Sequence, residues 1–175
     1  MNRLFAVLAV ASLGTSALAS TTYNDPAGDV FTGAGGGILD ILSMEVSNTA
    51  TDITFKFTLA GDVVATDWGK YMIAIDNAPG GDVASNGWAR PISMPTGMDH
   101  WIGTWVDSGN GAEVYAFSGA WARTQATYDP APNNQVSISK MGNMVTVSTP
   151  LSALGLNVGD IFFFDAFTSG GGGGD

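Results

Sequence analysis

The sequence predicts an all-β protein, an antiparallel β-sandwich of the immunoglobulin-like or jelly-roll type. About nine short apolar or alternating segments recur along the 175 residues, with turn residues between them, and this spacing is typical of sandwiches. Glycine occurs 24 times and mostly marks those turns. Only 3 lysines and 2 glutamates are present, a composition that excludes a long helical bundle.

The strongest strand signal is the strict alternation of apolar and polar residues over 52–59, which predicts one buried and one solvated face. The turn cluster 47–51 joins this segment to the preceding strand as a hairpin. Two further hairpins are predicted around the turns 107–111 and 141–143. The predicted strands are 39–46, 52–59, 70–76, 101–106, 113–117, 121–127, 136–140, 144–148 and 160–168.

One short helical turn is predicted over 150–154. Thr149 suits its cap, Pro150 suits its first position, and Gly155 suits its end. Because no repeat or linker interrupts the strands, we expect a single β-sandwich domain over residues 20–168. The glycine-rich tail 169–175 follows, and we expect that the chain is truncated there.

The first 19 residues predict a secretory signal peptide. Arg3 precedes an apolar run over 4–13, and Ala17 and Ala19 place small residues before a cut at Ser20. The alternative is a membrane anchor, which needs about 20 apolar residues. We therefore expect no membrane span and a secreted, periplasmic or cell-surface location. After removal of Arg3 the net charge becomes −11.

The charge balance excludes two classes of partner. The chain carries 16 acidic side chains against 6 basic ones. Nucleic acids and anionic membranes are bound through basic patches, so we expect neither as a partner. The chain contains no cysteine, which leaves packing, or a bound metal ion, to stabilise an exported fold.

Four aspartates are candidate ligands of a metal ion. Asp25 and Asp29 lie four residues apart in a Pro/Gly loop, Asp40 precedes a long strand, and Asp165 lies in the last strand. Calcium takes six to eight oxygen ligands from carboxylates and loop carbonyls, so the spacing is compatible with a calcium site. The alternative is that these aspartates are ordinary turn residues.

The tryptophans and one arginine are candidate contacts to carbohydrate. Trp101 and Trp105 share one strand face, with Gly103 leaving a gap between the rings, and Trp88 lies beside Arg90 in a loop. Tryptophan offers a flat apolar face and one N–H donor. The alternative is core packing, because tryptophan is highly buried on average.

Motifs of enzymatic catalysis are absent from the sequence, so we predict a protein that is not an enzyme. There is no H-E-x-x-H pair, no G-x-S-x-G elbow and no G-x-x-x-x-G-K-[ST] loop. Two carboxylates suffice for glycoside hydrolysis. With 14 aspartates in the chain, however, pairs of carboxylates are expected by chance and do not indicate a glycoside hydrolase.

Several segments together carry a family resemblance: the loop Asp25-Pro-Ala-Gly-Asp29, the strand 68–76, the segment 86–92, Trp101-Ile-Gly-Thr-Trp105 and the turn 150–155. They resemble secreted β-sandwich domains related to the C-terminal domain of glucodextranase, within the DOMON-like and family-9-like carbohydrate-binding modules.

The resemblance implies a non-catalytic module on an exported bacterial protein, with calcium near the DP-x-GD loop. Some DOMON-type domains bind haem, for which His100 is the one histidine available. Members of this family usually continue past the glycine run and many end in a sorting tail, so we expect this chain to depart from the family at its C-terminus. We therefore expect a secreted, calcium-stabilised binding module for polysaccharide or cell-envelope glycan. The alternative is a structural or adhesion domain without a small-molecule site.

Overall fold

A computed structural model describes residues 9–12, 19–30 and 35–170 and confirms the predicted all-β class. Two short 3-10 turns, Gly35–Gly37 and Leu151–Leu154, interrupt the strands. The strands are β1 (Ala9–Ser12), β2 (Ala19–Asn24), β3 (Ile41–Asn48), β4 (Asp52–Leu59), β5 (Lys70–Asp76), β6 (His100–Trp105), β7 (Gly111–Phe117), β8 (Trp121–Ala126), β9 (Ser137–Met141), β10 (Met144–Pro150) and β11 (Ile161–Ser169).

The strands form two antiparallel sheets that pack face to face as a sandwich. The six-stranded sheet has the order β1-β11-β5-β6-β7-β8, and the five-stranded sheet has the order β2-β3-β4-β10-β9. The three predicted hairpins are the pairs β3–β4, β6–β7 and β9–β10. All nine predicted strands are present, with ends that differ by about two residues.

The main core lies between the two sheets and is rich in phenylalanine. Phe55 of β4 makes edge contacts with Phe162 and Phe164 of β11, with ring centroids 6.4 Å and 6.0 Å apart. The buried hydroxyl of Tyr71 donates a hydrogen bond of 3.0 Å to the carbonyl of Ile38. This core joins the sheets without a disulfide.

The two N-terminal strands were not among the predicted elements. β2 pairs with β3, and it is short and polar, without the apolar alternation that marks β4. β1 lies inside the predicted signal peptide 1–19 and pairs with Ile161–Phe164 of β11. The rest of the predicted leader, apart from Ala19, falls outside the described residues.

Two boundary predictions need correction. Ser169, assigned to the glycine-rich tail, ends β11, and residues 171–175 of that tail lie outside the described part of the chain. Thr149 does not cap the 3-10 turn: it is buried in β10, and Pro150 occupies the cap position. Gly155, with φ of 62°, ends the turn as predicted. No helix in residues 9–12, 19–30 and 35–170 is long and apolar enough to cross a membrane.

Candidate functional site

The long connection between β5 and β6, residues 77–99, covers part of the outer face of the six-stranded sheet. Met72 and Ala74 of β5 point away from the main core, since they alternate with residues packed inside it. They pack against Met94 and Met98 of the connection, and the four form a second apolar cluster with aromatic neighbours. The sheet is therefore covered on both sides at this point.

Trp101 belongs to this second cluster, which contradicts its predicted role in ligand binding. Its side chain has 0% exposure, and its ring stacks on Phe167 with centroids 6.4 Å apart. Its indole nitrogen has no hydrogen-bond partner in the described part of the chain. Trp101 does share a strand face with Trp105, as predicted, and the connection buries the Trp101 end of that face more completely than the Trp105 end.

Trp88 fills the gap that Gly103 leaves in this face. A Cβ at Gly103 would stand 2.8 Å from Cδ2 of Trp88 and closer still to two other ring atoms. The Trp88 nitrogen donates a hydrogen bond of 2.7 Å to Glu113, and its ring centroid lies 6.3 Å from that of Trp105. The predicted glycine gap therefore exists, and an indole from the connection occupies it.

Asn86 fixes the local path of the connection and so positions Trp88 and Arg90. Its side chain is 3% exposed. The amide oxygen accepts the backbone N–H groups of Trp88 and Arg90, both at 3.1 Å. The amide nitrogen donates to the carbonyls of Arg90 and Ile92 at 2.8 Å and 3.1 Å. The Arg90 guanidinium carbon lies 6.0 Å from the centroid of the Trp88 ring, a cation–π distance.

Glu113 of β7 is a residue of this candidate site that the sequence reasoning missed. Its carboxylate accepts hydrogen bonds from Trp88, from the Tyr115 hydroxyl at 3.1 Å and from the Tyr128 hydroxyl. Arg123 lies 3.5 Å away as an ion-pair partner, and the Glu113 side chain is 12% exposed. Burial, with the nearby Glu113 charge as a second cause, raises the pKa of Tyr115 to about 12. One carboxylate thus ties three aromatic side chains together.

An open groove of ≈ 570 Å³ lies beside these aromatic residues. Trp105 and Tyr128 flank it, with ring centroids 6.4 Å apart. Tyr128 is 56% exposed, and the Trp105 ring lies across Gly111, where a Cβ would stand 2.6 Å from Cη2. The groove brings together the β6–β7 turn, the segment after β8 and strand β9, with the polar side chains Ser108, Asn110, Thr127 and Ser137 in its lining.

The turn on one side of the groove has an uncommon backbone conformation. Ser108, Gly109 and Asn110 all have positive φ, at 50°, 95° and 64°. Residues other than glycine rarely adopt this region, and such strain is concentrated at functional sites. The turn holds the side chains of Ser108 and Asn110 in the lining of the groove.

The predicted metal ligands lie in a different part of the molecule. Asp40 is 4% exposed; its Oδ2 accepts the Gly28 N–H at 2.9 Å, whereas its Oδ1 is buried and has no partner in the described chain. Burial raises the pKa of Asp25, and the charges of Asp29 and Asp40 raise it further. The loop therefore brings three carboxylates within electrostatic reach of one another.

Asp165 joins this group from β11. It is 3% exposed, and one carboxylate oxygen accepts the Ala166 N–H at 2.8 Å. Burial raises the pKa of Asp165 to about 7, with the charge of Asp25 as a further cause. Within the described ranges, no three acidic or histidine side chains stand in a ready metal-holding arrangement. The buried oxygen of Asp40 is the feature here that fits a cation.

Comparison with protein-family models, with curated proteins and with solved structures finds no match for this chain.

Proposed function

We propose that the protein is a secreted, non-catalytic binding module for polysaccharide or cell-envelope glycan, stabilised by calcium. The observation that carries the proposal is the groove flanked by Trp105 and Tyr128. Flat aromatic faces beside hydroxyl and amide side chains suit sugar rings, which present apolar C–H faces and hydroxyl edges. The Trp88 ring extends this aromatic surface beyond the groove, and the Arg90 guanidinium lies over that ring.

The environment of Glu113 supports a binding role over hydrolysis. Its carboxylate is occupied by hydrogen bonds from Trp88, Tyr115 and Tyr128 and by the ion pair with Arg123. A glycosidase needs a carboxyl group free to exchange a proton with the substrate and a second one facing it. Glu113 instead acts as a positioning residue that holds the aromatic rings.

The binding proposal is tested by removing the exposed ring of Tyr128. Tyr128→Ala is expected to weaken binding of a polysaccharide identified by array screening about tenfold, which corresponds to about 1.4 kcal/mol. Tyr128 is 56% exposed, so the substitution should leave the fold intact. Isothermal titration measures the affinity, and circular dichroism checks the fold.

The matched control is Phe163→Ala, which removes a 38% exposed ring from β11. Its affinity is expected to equal that of the unmodified protein. An equal loss of affinity in both variants, or no loss of affinity in Tyr128→Ala, would show that the groove is not the binding surface.

The calcium proposal rests on the unpartnered oxygen of Asp40. A buried carboxylate oxygen without a partner is costly, and a cation would satisfy it while offsetting the mutual repulsion of Asp25, Asp29 and Asp40. Asp165, whose pKa is raised to about 7 by burial, would contribute a fourth carboxylate. Calcium would supply structural stabilisation at this site.

Calcium binding is tested by thermal unfolding. A ligand that binds only the folded chain stabilises it by about 2.7 kcal/mol at a hundredfold excess over Kd. We expect the melting temperature to rise with calcium, and the rise to disappear in Asp40→Asn. Asp62→Asn is the control, since that exposed side chain caps a surface turn. An unchanged melting temperature across a millimolar titration would refute the calcium site.

Export is supported by the leader pattern over 1–19. The test is the N-terminal sequence of protein recovered outside the cytoplasm, which is expected to begin at Ser20. The second candidate function, a structural or adhesion domain, is favoured by the complete burial of Trp101. This second function is favoured further if Tyr128→Ala changes the affinity for none of the glycans tested.

A further inference from the structure

The side chains that line the groove carry no formal charge. The polar ones are Ser108, Asn110, Thr127, Ser137 and the Tyr128 hydroxyl. Each offers a neutral donor or acceptor of the kind that pairs with sugar hydroxyl groups. A site for an anionic sugar would instead present arginine or lysine for bidentate or point-charge contact with a carboxylate or sulfate.

The cations around the groove are already paired. Arg123 donates to Asp129 at 3.0 Å and lies 3.5 Å from Glu113. Lys70 lies 3.1 Å from Asp107, immediately before Ser108 in the turn.

The Lys140 ammonium completes this pattern, donating to the Val106 carbonyl at 2.6 Å and lying 3.4 Å from Asp67. Arg90 lies over Trp88, which is outside the groove lining. An anionic ligand would therefore have to break an existing ion pair to gain a counter-charge.

We infer that the groove selects uncharged polysaccharide chains over acidic ones. This inference deepens the proposed function and rests on it. The net charge of −11 after leader removal adds a general repulsion of polyanions. A neutral glycan neither has to break an ion pair nor is repelled by the net charge. Its stacking on Trp105 and Tyr128 does not depend on charge.

The experiment compares neutral and acidic hexasaccharides by isothermal titration with the mature chain at about 20 mM and 150 mM salt, a range over which the Debye length falls nearly threefold. The neutral probes are cellohexaose, xylohexaose and mannohexaose, and the acidic probe is hexagalacturonate. We expect at least one neutral probe to bind at least about tenfold more tightly than hexagalacturonate, a difference of about 1.4 kcal/mol. Its affinity should not change with salt.

A charge variant sharpens the test. Asp107→Asn releases Lys70 beside the groove and is expected to raise hexagalacturonate affinity about threefold at low salt, with neutral affinity unchanged. The matched control is Asp160→Asn, whose carboxylate accepts hydrogen bonds from Asn157 in the loop before β11, and it should change neither affinity.

The outcomes separate the two claims. Tightest binding of hexagalacturonate, lost in Tyr128→Ala, would overturn the selectivity and keep the glycan-binding role. Binding of none of the probes, and of no polysaccharide on a wider array, would overturn the proposed function and the selectivity together.

Discussion

Gly103→Ala should have opposite effects on stability depending on whether Trp88 is present. Gly103 lies in the middle of β6, paired with Met72 and Glu113. A new methyl group would stand 2.8 Å from Cδ2 of Trp88 and closer to two other ring atoms. The three nearest atoms all belong to the Trp88 ring, so the indole dominates the cost.

The expected magnitudes follow from this geometry. Glycine in a strand interior is less favourable than alanine by about 0.5–1 kcal/mol, so alanine stabilises when its methyl group has room. Overpacking costs about 1–3 kcal/mol, and displacing the indole also weakens its hydrogen bond to the charged Glu113, worth about 1.5–3 kcal/mol. We expect Gly103→Ala to destabilise the normal chain by about 1–3 kcal/mol and to stabilise Trp88→Ala by about 0.5–1 kcal/mol.

The assay is a double-mutant cycle on the free energy of unfolding in urea. Unfolding is followed by far-ultraviolet circular dichroism, because the two variants that carry Trp88→Ala lose one tryptophan and their fluorescence is not comparable with that of the others. The expected coupling between the two positions is about 1.5–4 kcal/mol. An effect of Gly103→Ala with the same sign and size in both backgrounds would refute the placement of Trp88 over this glycine.

Two further predictions concern buried polar groups. Tyr71→Phe removes the hydroxyl that pairs with the Ile38 carbonyl at 3.0 Å and should cost about 1–3 kcal/mol in urea unfolding; an unchanged midpoint would contradict that hydrogen bond. Asp165 has its pKa raised from 3.8 to about 7 by burial, so the folded state favours the protonated form. Its contribution to stability is complete below about pH 4 and is lost as the pH rises to about 7, by about 4 kcal/mol at 1.36 kcal/mol per unit. In EDTA, the stability difference between Asp165→Asn and the unmodified chain should therefore change across this window, and a constant difference would count against the burial of that carboxyl.

The strands were predictable because their signals are local. The alternation over Asp52–Leu59 and the turn residues between segments depend only on neighbours in sequence. The β6–β7 turn and the end of the 3-10 turn at Gly155 were predictable for the same reason. β2 was missed because its threonines carry no apolar alternation, and its pairing with β3 decides its conformation.

The site was less predictable because distant segments assemble it. Trp88 and Trp105 were singled out by residue type, but Tyr128 and Glu113 were not. Glu113 acquires its role only when β8 and the connection bring Arg123, Tyr128 and Trp88 to it. A weak signal was present, since Glu113 is one of only 2 glutamates in the chain, against 14 aspartates.

The apolar pattern of β5 explains why the site lies where it does. β4 alternates because its outer face meets solvent, whereas five consecutive residues of β5 are buried, the pattern of a strand covered on both faces. Alternation resumes on β7, where Glu113 and Tyr115 are half-buried. The cover over the outer face is therefore complete at β5 and only partial at β7. Side chains at such a border need one apolar and one polar surface, and tryptophan, tyrosine and a multiply bonded carboxylate meet that requirement. The same requirement makes this border suitable for sugar rings.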